Sequence, residues 1–447
     1  MANGRNAPGI DLGVIGKAQE LKKRLLFVIG ALIVYRIGTY IPLPGIDSSI
    51  IGDMFKGSGG GILDMFNMFS GGALERMTIF ALNIMPYITV SIIMQLMAVI
   101  SPKLAALKKE GEAGRRKINQ YTRIGTVFMS AFQAYGIAVF LENLTGPNGP
   151  AVHEPGLFFK IITITSLVGG TMFLMWLGEQ ITSRGIGNGI SLIIFAGIVA
   201  GLPSAIARTM ELGWTGALSA GVIIAILALA LGLIYFIVFM ERAHRRVLVQ
   251  YPKRQKGNKI YGGESSHMPL KINNAGVIPP IFASSLLLFP ATIAGFSAGK
   301  GPEWMQTVSI YLGHGQPLYI VSFVVLVVFF CFFYTLHVFN PAETAENLRK
   351  YGGFIPGIRP GKSTSDYFQY VMIRLTVIGA AYLSLVCVIP EILIAEYSVP
   401  FYLGGTSLLI VVNVTMDTVA QIHSHLIAHQ YEGLIRKANL KNRRFST

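Results

Sequence analysis

Ten stretches of this chain are long and apolar enough to cross a lipid bilayer, and no other feature restricts its fold so severely. A spanning helix needs about 20 predominantly apolar residues. The candidate spans cover residues 25–41, 78–100, 124–144, 157–177, 189–206, 214–240, 275–294, 318–339, 371–394 and 403–423. The eighth contains the unbroken run from Ile320 to Phe333, whereas Gly185, Gly187, Gly189 and Pro203 interrupt the fifth. The first has a basic start like a secretory leader, but Tyr40-Ile41-Pro42 follows it in place of a small-x-small cleavage site, so it is expected to be retained.

Composition narrows the class in the same direction. Of 447 residues, 52% are hydrophobic and 13% charged, with mean hydropathy +0.55, whereas soluble domains carry about 25% charged residues. A soluble globule of this composition could not cover its surface with polar groups, and a disordered chain is excluded by the same count. Glycine shows no period of three. The two cysteines, Cys331 and Cys387, fall inside spans and read as small buried hydrophobes. The expected fold is an all-α polytopic membrane protein with ten transmembrane helices.

An apolar chain with 37 Lys+Arg against 22 Asp+Glu, net +15, must place that excess somewhere. Ten spans put both termini on one side, and basic residues identify the cytosolic side. Thirty-one of the 37 lie before the first span, in 101–123, 179–188, 241–271 and 340–374, and after the last span. The exceptions are Arg36, Lys56, Arg76, Lys160, Arg208 and Lys300. Both termini are therefore expected in the cytosol. Loops 241–274 and 340–370 exceed the length of ordinary connections. Two readings fit them: a basic surface drawn to anionic lipid, or a docking platform for an acidic or nucleic-acid-rich partner.

Short patterns that suggest enzymes fall short. Gly357-Ile358-Arg359-Pro360-Gly361-Lys362-Ser363 is one residue too short for a phosphate loop and has no strand before it. Gly185-Ile186-Gly187-Asn188-Gly189 opens a span, not a βαβ unit. His425 and His429 share a helix face near His423, but lack the general-base Glu and third ligand of a zinc protease. No catalytic constellation, cofactor or metal site is expected, so the chain is not read as an enzyme. The intramembrane charges Arg36 and Asp417, with Glu179 at a span end, are few for an ion-coupled carrier. A small-solute transporter stays the alternative.

Between spans one and two, glycines at 59–61 and 71–72 flank an apolar core of about nine residues, roughly 13 Å if helical. It is too short to span and reads as an interfacial helix, or as a movable piece that re-enters a cavity. Isoleucines stand beside helix breakers or polar residues in four spans: Ile84 and Ile88 around Pro86, Ile190 and Ile194 after Asn188-Gly189, Ile281 after Pro279-Pro280, and Ile410 after Ser407. Singly, each is an ordinary packing residue. Together, stiff β-branched side chains at broken helices could form a dry constriction that gates by dewetting.

At this point whole stretches resemble the bacterial SecY family. They include Met65-Phe66-Asn67-Met68-Phe69-Ser70-Gly71-Gly72-Ala73-Leu74, Ile84-Met85-Pro86-Tyr87-Ile88, Lys109-Glu110-Gly111-Glu112, Gly114-Arg115-Arg116-Lys117 and Gly178-Glu179-Gln180-Ile181-Thr182. Others are Gly185-Ile186-Gly187-Asn188-Gly189-Ile190-Ser191, Ala275-Gly276-Val277-Ile278-Pro279, Phe339-Asn340-Pro341, Gly357-Ile358-Arg359-Pro360-Gly361 and Gly404-Gly405-Thr406-Ser407-Leu408-Leu409-Ile410. The match runs from span one to Lys437-Ala438-Asn439-Leu440-Lys441.

The resemblance implies a protein-conducting channel of the inner membrane, with ten helices in two pseudo-symmetric five-helix halves. The halves would be 25–210, with a plug at about 59–72, and 211–424, between cytosolic segments 1–24 and 425–447. It implies a pore ring of Ile84, Ile88, Ile190, Ile194, Ile281 and Ile410, and a plug built from Ile62, Leu63, Met65, Phe66, Asn67, Met68, Phe69 and Ser70. A lateral gate would be lined by Ser91, Gln95, Ser284, Ser285 and Phe289, releasing hydrophobic segments into lipid. Arg359, with Arg254, Lys256 and Lys259, would dock the SecA motor or the ribosome. SecE and SecG subunits, signal-sequence-bearing polypeptides, anionic phospholipids and accessory Sec or insertase subunits complete the implied partners. One departure stands out: where relatives often have paired arginines after span six, this chain has Asn258-Lys259. The histidines 423, 425 and 429 lie outside the family pattern.

Overall fold

A computed structural model describes residues 19–48, 50–52, 67, 70–146, 149–215, 219–252, 254–256, 259–261, 265–296, 316–397 and 404–444. Each of the ten predicted spans overlaps a helix. They are α1 (Gln19–Gly38), α2 (Met85–Ile100), α4 (Glu112–Asn143), α5 (Leu157–Arg184), α6 (Gly189–Trp214), α7 (Ala220–Arg242), α8 (Ile278–Phe296), α9 (Pro317–Val338), α11 (Lys362–Tyr397) and α12 (Gly405–Arg444). Two shorter helices, α3 (Pro102–Lys109) and α10 (Pro341–Lys350), lie between spans. Among the described residues, seven helices have the length and composition to cross a membrane alone, or eight counting the bent α2–α3 pair. Outward-facing side chains such as Leu157, Phe158, Leu231 and Tyr235 are apolar or aromatic and largely exposed, which is stable only against lipid.

The chain divides into two compact units. The first holds residues 1–203 and 414–447, with a short piece at 296–298. Here α4 and α5 form a hairpin, and α2 packs on α4 so closely that a β-carbon at Gly125 would lie 2.7 Å from Val90 Cγ1. Pro102 follows the extended Ser101, and the chain turns 98° from α2 into α3. On the other side, Glu142 accepts from Gly156 N at 2.9 Å and pairs with Lys160 at 3.0 Å, stapling the ends of α4 and α5. A two-residue hairpin, β1 (Thr145–Gly146) with β2 (Gly149–Pro150), closes that connection.

Span two differs from the expected 78–100, because the helix begins only at Met85. Residues 70–84 are turns, with positive φ at Met77 (44°) and Asn83 (49°), and Pro86 sits in the first helical turn. Their buried backbone is satisfied locally and by the strand-like exit of α1. Leu43 N donates to Met77 O at 2.9 Å, Ile79 N to Ile41 O at 3.1 Å, and Ala81 N to Thr78 O at 2.9 Å. Irregular backbone is tolerated at membrane depth only when enclosed by protein or lining a cavity. Hydropathy marked the depth crossed but not the conformation.

The second unit holds residues 204–295 and 299–413. Its principal departure from an all-helical reading is the loop after span six, which is a β-ribbon. Strand β3 (His244–Gln250) pairs antiparallel with β6 (Ser265–Lys271), from His244↔Lys271 to Gln250↔Ser265, and β4 (Arg254–Lys256) pairs with β5 (Lys259–Tyr261). Alternation drives this: Val247 and Val249 turn inward while Arg246 and Leu248, on the opposite face, are more exposed. The second long loop joins the first, since Gln250 and Phe354 exchange backbone hydrogen bonds of 2.8 and 2.9 Å. Val247, Leu270, Ile355, Phe368, Val371, Met372 and Leu375 form their shared core. Phe368 is fully buried, so Phe368→Ala should cost about 3–5 kcal/mol of local stability. Limited proteolysis should then cut both loops faster with the membrane helices intact; unchanged cleavage would contradict a shared core.

Candidate functional site

In the first unit, the chain is shaped to place four isoleucines at breaks in helices. Ile84 caps α2 at φ −92°, ψ 0°, and Ile88 stands one turn further on, its N–H donating to Ile84 O at 3.1 Å. Both are buried. Ile190 and Ile194 occupy the first turns of α6, one turn apart. The loop that sets this helix is glycine for steric reasons. A β-carbon at Gly189 would lie 1.9 Å from Gly178 O, and Gly187 has φ +89°. Side chains then lock the loop: Gly187 N donates to Gln421 Oε1 at 2.8 Å, Gly189 N to Thr182 Oγ1 at 2.9 Å, and Ile190 N to Asn188 Oδ1 at 3.1 Å. Gly189→Ala should therefore force α6 off α5 and destabilise the protein by about 1–3 kcal/mol. Thermal unfolding in detergent reads this; an unchanged midpoint would contradict the packing argument.

The second unit carries Ile281, half-buried in the first turn of α8, and Ile410, buried in α12. A buried carboxylate ties their helices together. Glu241, at the end of α7, accepts from Asn273 Nδ2 at 2.6 Å and from Asn413 Nδ2 at 3.3 Å through Oε1. The Asn273 amide also donates to Gly276 O at 3.2 Å and accepts from Gly276 N at 3.1 Å. One side chain thus fixes the lead into α8 and the turn of α12 after Ile410. Sequence reasoning missed Glu241; the only signal was an acidic residue between Met240 and Arg242 at the end of an apolar run.

The remaining expected residues are distributed as follows. Gln95 Nε2 donates to Ser91 Oγ at 3.4 Å within α2, and both are half-buried. Ser284 Oγ donates to Ile281 O at 3.0 Å, whereas the buried Ser285 hydroxyl has no partner among the described residues. The side chain of Phe289, and Ile62, Leu63, Met65, Phe66, Met68 and Phe69 entirely, lie outside the described residues. Asn67 and Ser70 are described and buried. Arg359 is exposed in a turn between Gly357 (φ +81°) and Gly361 (φ +110°), its carbonyl accepting from Thr364 Oγ1 at 3.0 Å. Arg254 and Lys256 lie on β4 and Lys259 on β5, with Lys256 opposite Lys259.

The charges inside the spans have ordinary partners in two cases. Glu179 receives a forked contact from Arg123, Nε at 3.0 Å and Nη2 at 2.6 Å, which joins α5 to α4. Arg36 Nη1 donates to Gly71 O at 2.8 Å and its guanidinium lies 5.1 Å from the Tyr40 ring centre. Asp417 is exposed on α12. Among the described residues, no three His, Cys, Asp or Glu side chains group as a metal site.

Comparison with known proteins matches this arrangement to one family. A family model described as SecY matches residues 78–419. The protein translocase subunit SecY of Escherichia coli strain K12 is 56% identical over 436 residues, covering 97% of this chain and 98% of that protein. The same-named subunit of Rickettsia conorii is 59% identical over 423 residues, covering 95% and 98%. Among solved structures, a protein conducting channel aligns with TM-score 0.66 at 18% identity, covering 90% of this chain and 92% of that one. Sec61 in the canine ribosome–channel complex from the endoplasmic reticulum aligns with TM-score 0.62 at 17% identity, covering 90% and 92%. At such identities the structural matches speak to the fold, a ten-helix membrane architecture.

Proposed function

The chain belongs to the SecY family, and from that premise we propose that it is the channel subunit of a protein translocase, a multi-pass membrane protein that conducts unfolded polypeptide. The observation that carries this is identity of 56% across 97% of the chain to a protein translocase subunit SecY. Conduction is passive. A ring of Ile84, Ile88, Ile190, Ile194, Ile281 and Ile410 deforms around the passing chain, and its apolar atoms keep water and ions from forming a continuous file. Their position at helix starts, caps and breaks supports that reading. The segment 62–70 is the plug that seals the resting ring.

Sideways release follows from partitioning. Each Leu, Ile or Phe of a passing segment gains about 0.3–0.6 kcal/mol on entering the bilayer centre, so a sufficiently apolar segment leaves through a gate between spans two, three, seven and eight. Ser91, Gln95, Ser284, Ser285 and Phe289 line it and keep it weakly polar. The halves are 25–210 and 211–424, and they part like a clamshell around the passing chain. The chain performs no catalysis; a motor such as SecA, or the ribosome, supplies the energy through Arg359 and the ribbon residues Arg254, Lys256 and Lys259. SecE and SecG are its membrane partners and anionic phospholipid its preferred surroundings. The placement of 31 of 37 basic residues supports a bacterial inner-membrane orientation with both termini in the cytosol.

Reconstitution tests this directly. In vesicles containing the complex, a secretory precursor should become protease-protected only with motor and ATP. Uptake of a small solute without the motor, and no protected precursor, would overturn it.

A further inference from the structure

The turn that launches α6 is gripped from α12 as well as by its own neighbours. Gly187 is buried at φ +89°, outside any helix, so its N–H needs a partner that no backbone ladder supplies. Gln421 of α12 is that partner, accepting at 2.8 Å through Oε1. The other bonds of the turn are local. Gly185 N donates to Ile181 O at 2.8 Å, Gly189 N to Thr182 Oγ1 at 2.9 Å, and Ile190 N to Asn188 Oδ1 at 3.1 Å. Gln421 reaches the turn from 234 residues away in the sequence. Packing repeats the pattern: Ile186 is buried with Leu21 of α1 and Leu426 of α12, and Ile422 lies against them. At Gly187 a β-carbon would stand 3.3 Å from Thr418 Oγ1, so α12 lies directly on the turn. Thr418, Gln421 and Ile422 stand at i, i+3 and i+4, on one face of that helix.

We propose that Gln421 is a positioning residue for the constriction: by holding Gly187 to α12, it sets where α6 begins and so where Ile190 and Ile194 stand. This rests on reading those isoleucines as members of the pore ring. Ile190 follows Gly187 by three residues, and Thr182 and Asn188 hold the backbone of Gly189 and Ile190. Little slack therefore separates the Gln421 bond from the first ring side chain, and a turn released from α12 carries the first turn of α6 with it. Glycines at 185, 187 and 189 give the released turn other conformations to adopt. Gln421 acts through this backbone. Losing its acceptor leaves a buried donor unpaired, which shifts an equilibrium about tenfold or more.

The test reads position and seal separately in the reconstituted complex, without precursor or motor. Gln421→Met keeps the length of the side chain and loses the acceptor, whereas Gln421→Glu keeps an acceptor. Ile190→Cys, labelled by a water-soluble thiol reagent, reports the position of α6, and Ile88→Cys on α2 is the control. Gln421→Met should raise the labelling rate at position 190 about tenfold and leave that at 88 unchanged. In planar bilayers it should raise the frequency of resting openings by a similar factor. Gln421→Glu should restore the parent's behaviour in both. General destabilisation would move both cysteines and would not be rescued by the carboxylate. The double variant Ile190→Asn with Ile194→Asn serves as the reference leak. If it leaks while Gln421→Met neither leaks nor alters labelling at 190, the positioning role is wrong and the ring stands. The same holds if Gln421→Glu behaves like Gln421→Met. If labelling at 190 shifts but the reference variant is silent, the ring reading fails, and the role of Gln421 in the seal fails with it.

Discussion

Channels with asparagine in place of Ile84 and Ile410 will pass ions at rest, with resting conductance raised about tenfold or more, equivalent to about 1.4 kcal/mol taken off the barrier. The physical reason is the nature of the seal. An apolar constriction excludes ions because water inside it lacks hydrogen-bonding partners and the file breaks. An amide in the ring offers donors and acceptors and lets the file re-form. Ile84 and Ile410 are the sharpest sites because both are about 1% exposed and each sits on a helix fixed by other groups. Ile84 precedes Pro86, and Ile410 lies one turn before the clamped Asn413. Isoleucine to valine, which keeps the ring apolar and β-branched, should leave the conductance near the parent. Unchanged conductance with asparagine at both positions would remove the ring from the account.

Arg359→Glu will abolish motor-driven translocation while leaving the membrane complex intact. Arg359 is exposed at a turn whose two glycines take positive φ, so the turn is rigidly specified while the guanidinium is free to meet a partner. Removing one partner of a charge pair that docking buries costs roughly 2–5 kcal/mol, so the affinity of the motor should fall about 30-fold or more. The fold should not suffer, because the core beneath consists of the buried side chains Val247, Leu270, Ile355 and Phe368. Precursor protection and motor ATPase stimulation would measure the loss, and size-exclusion chromatography the integrity of the complex. Raising the salt concentration should weaken the parent interaction toward the variant's level. Intact ATP-dependent transport by the variant would contradict the docking role.

Much of this architecture is legible in the sequence because the bilayer imposes it. Apolar length located all ten helices. Helix ends were less legible, since hydropathy stops at the membrane while helices do not. The start of α4 at Glu112 and of α11 at Lys362 lie outside their apolar cores, yet nothing there breaks a helix. The opposite error occurred at span two. Residues 78–84 are apolar but not helical, and Asn83 followed by Pro86 was the available sign.

The β-ribbon was hidden for a different reason. Alternation at Val247 and Val249 is short, and its partner strand begins at Ser265, so pairing depends on contacts that no local pattern specifies. The glycines of 185–189 were visible as breakers, but their cause was not: the carbonyl of Gly178 occupies the space a side chain would need. Glu241 and Glu75 share this fate. A lone carboxylate near a span end looks like a surface charge until Asn273 and Asn413, or Asn67, is found against it.

The central claim is that a polypeptide passes through the isoleucine ring. A cysteine placed at Ile281 or Ile410 and probed with a secretory chain stalled in transit tests it most directly. The native thiols, Cys331 and Cys387, are buried and compete little for the probe. Leu231, 68% exposed on α7, serves as a lipid-facing control. The account predicts strong crosslinks from Ile281→Cys and Ile410→Cys and none from Leu231→Cys. Crosslinking at the lipid-facing control alone, with the ring positions silent, would contradict it.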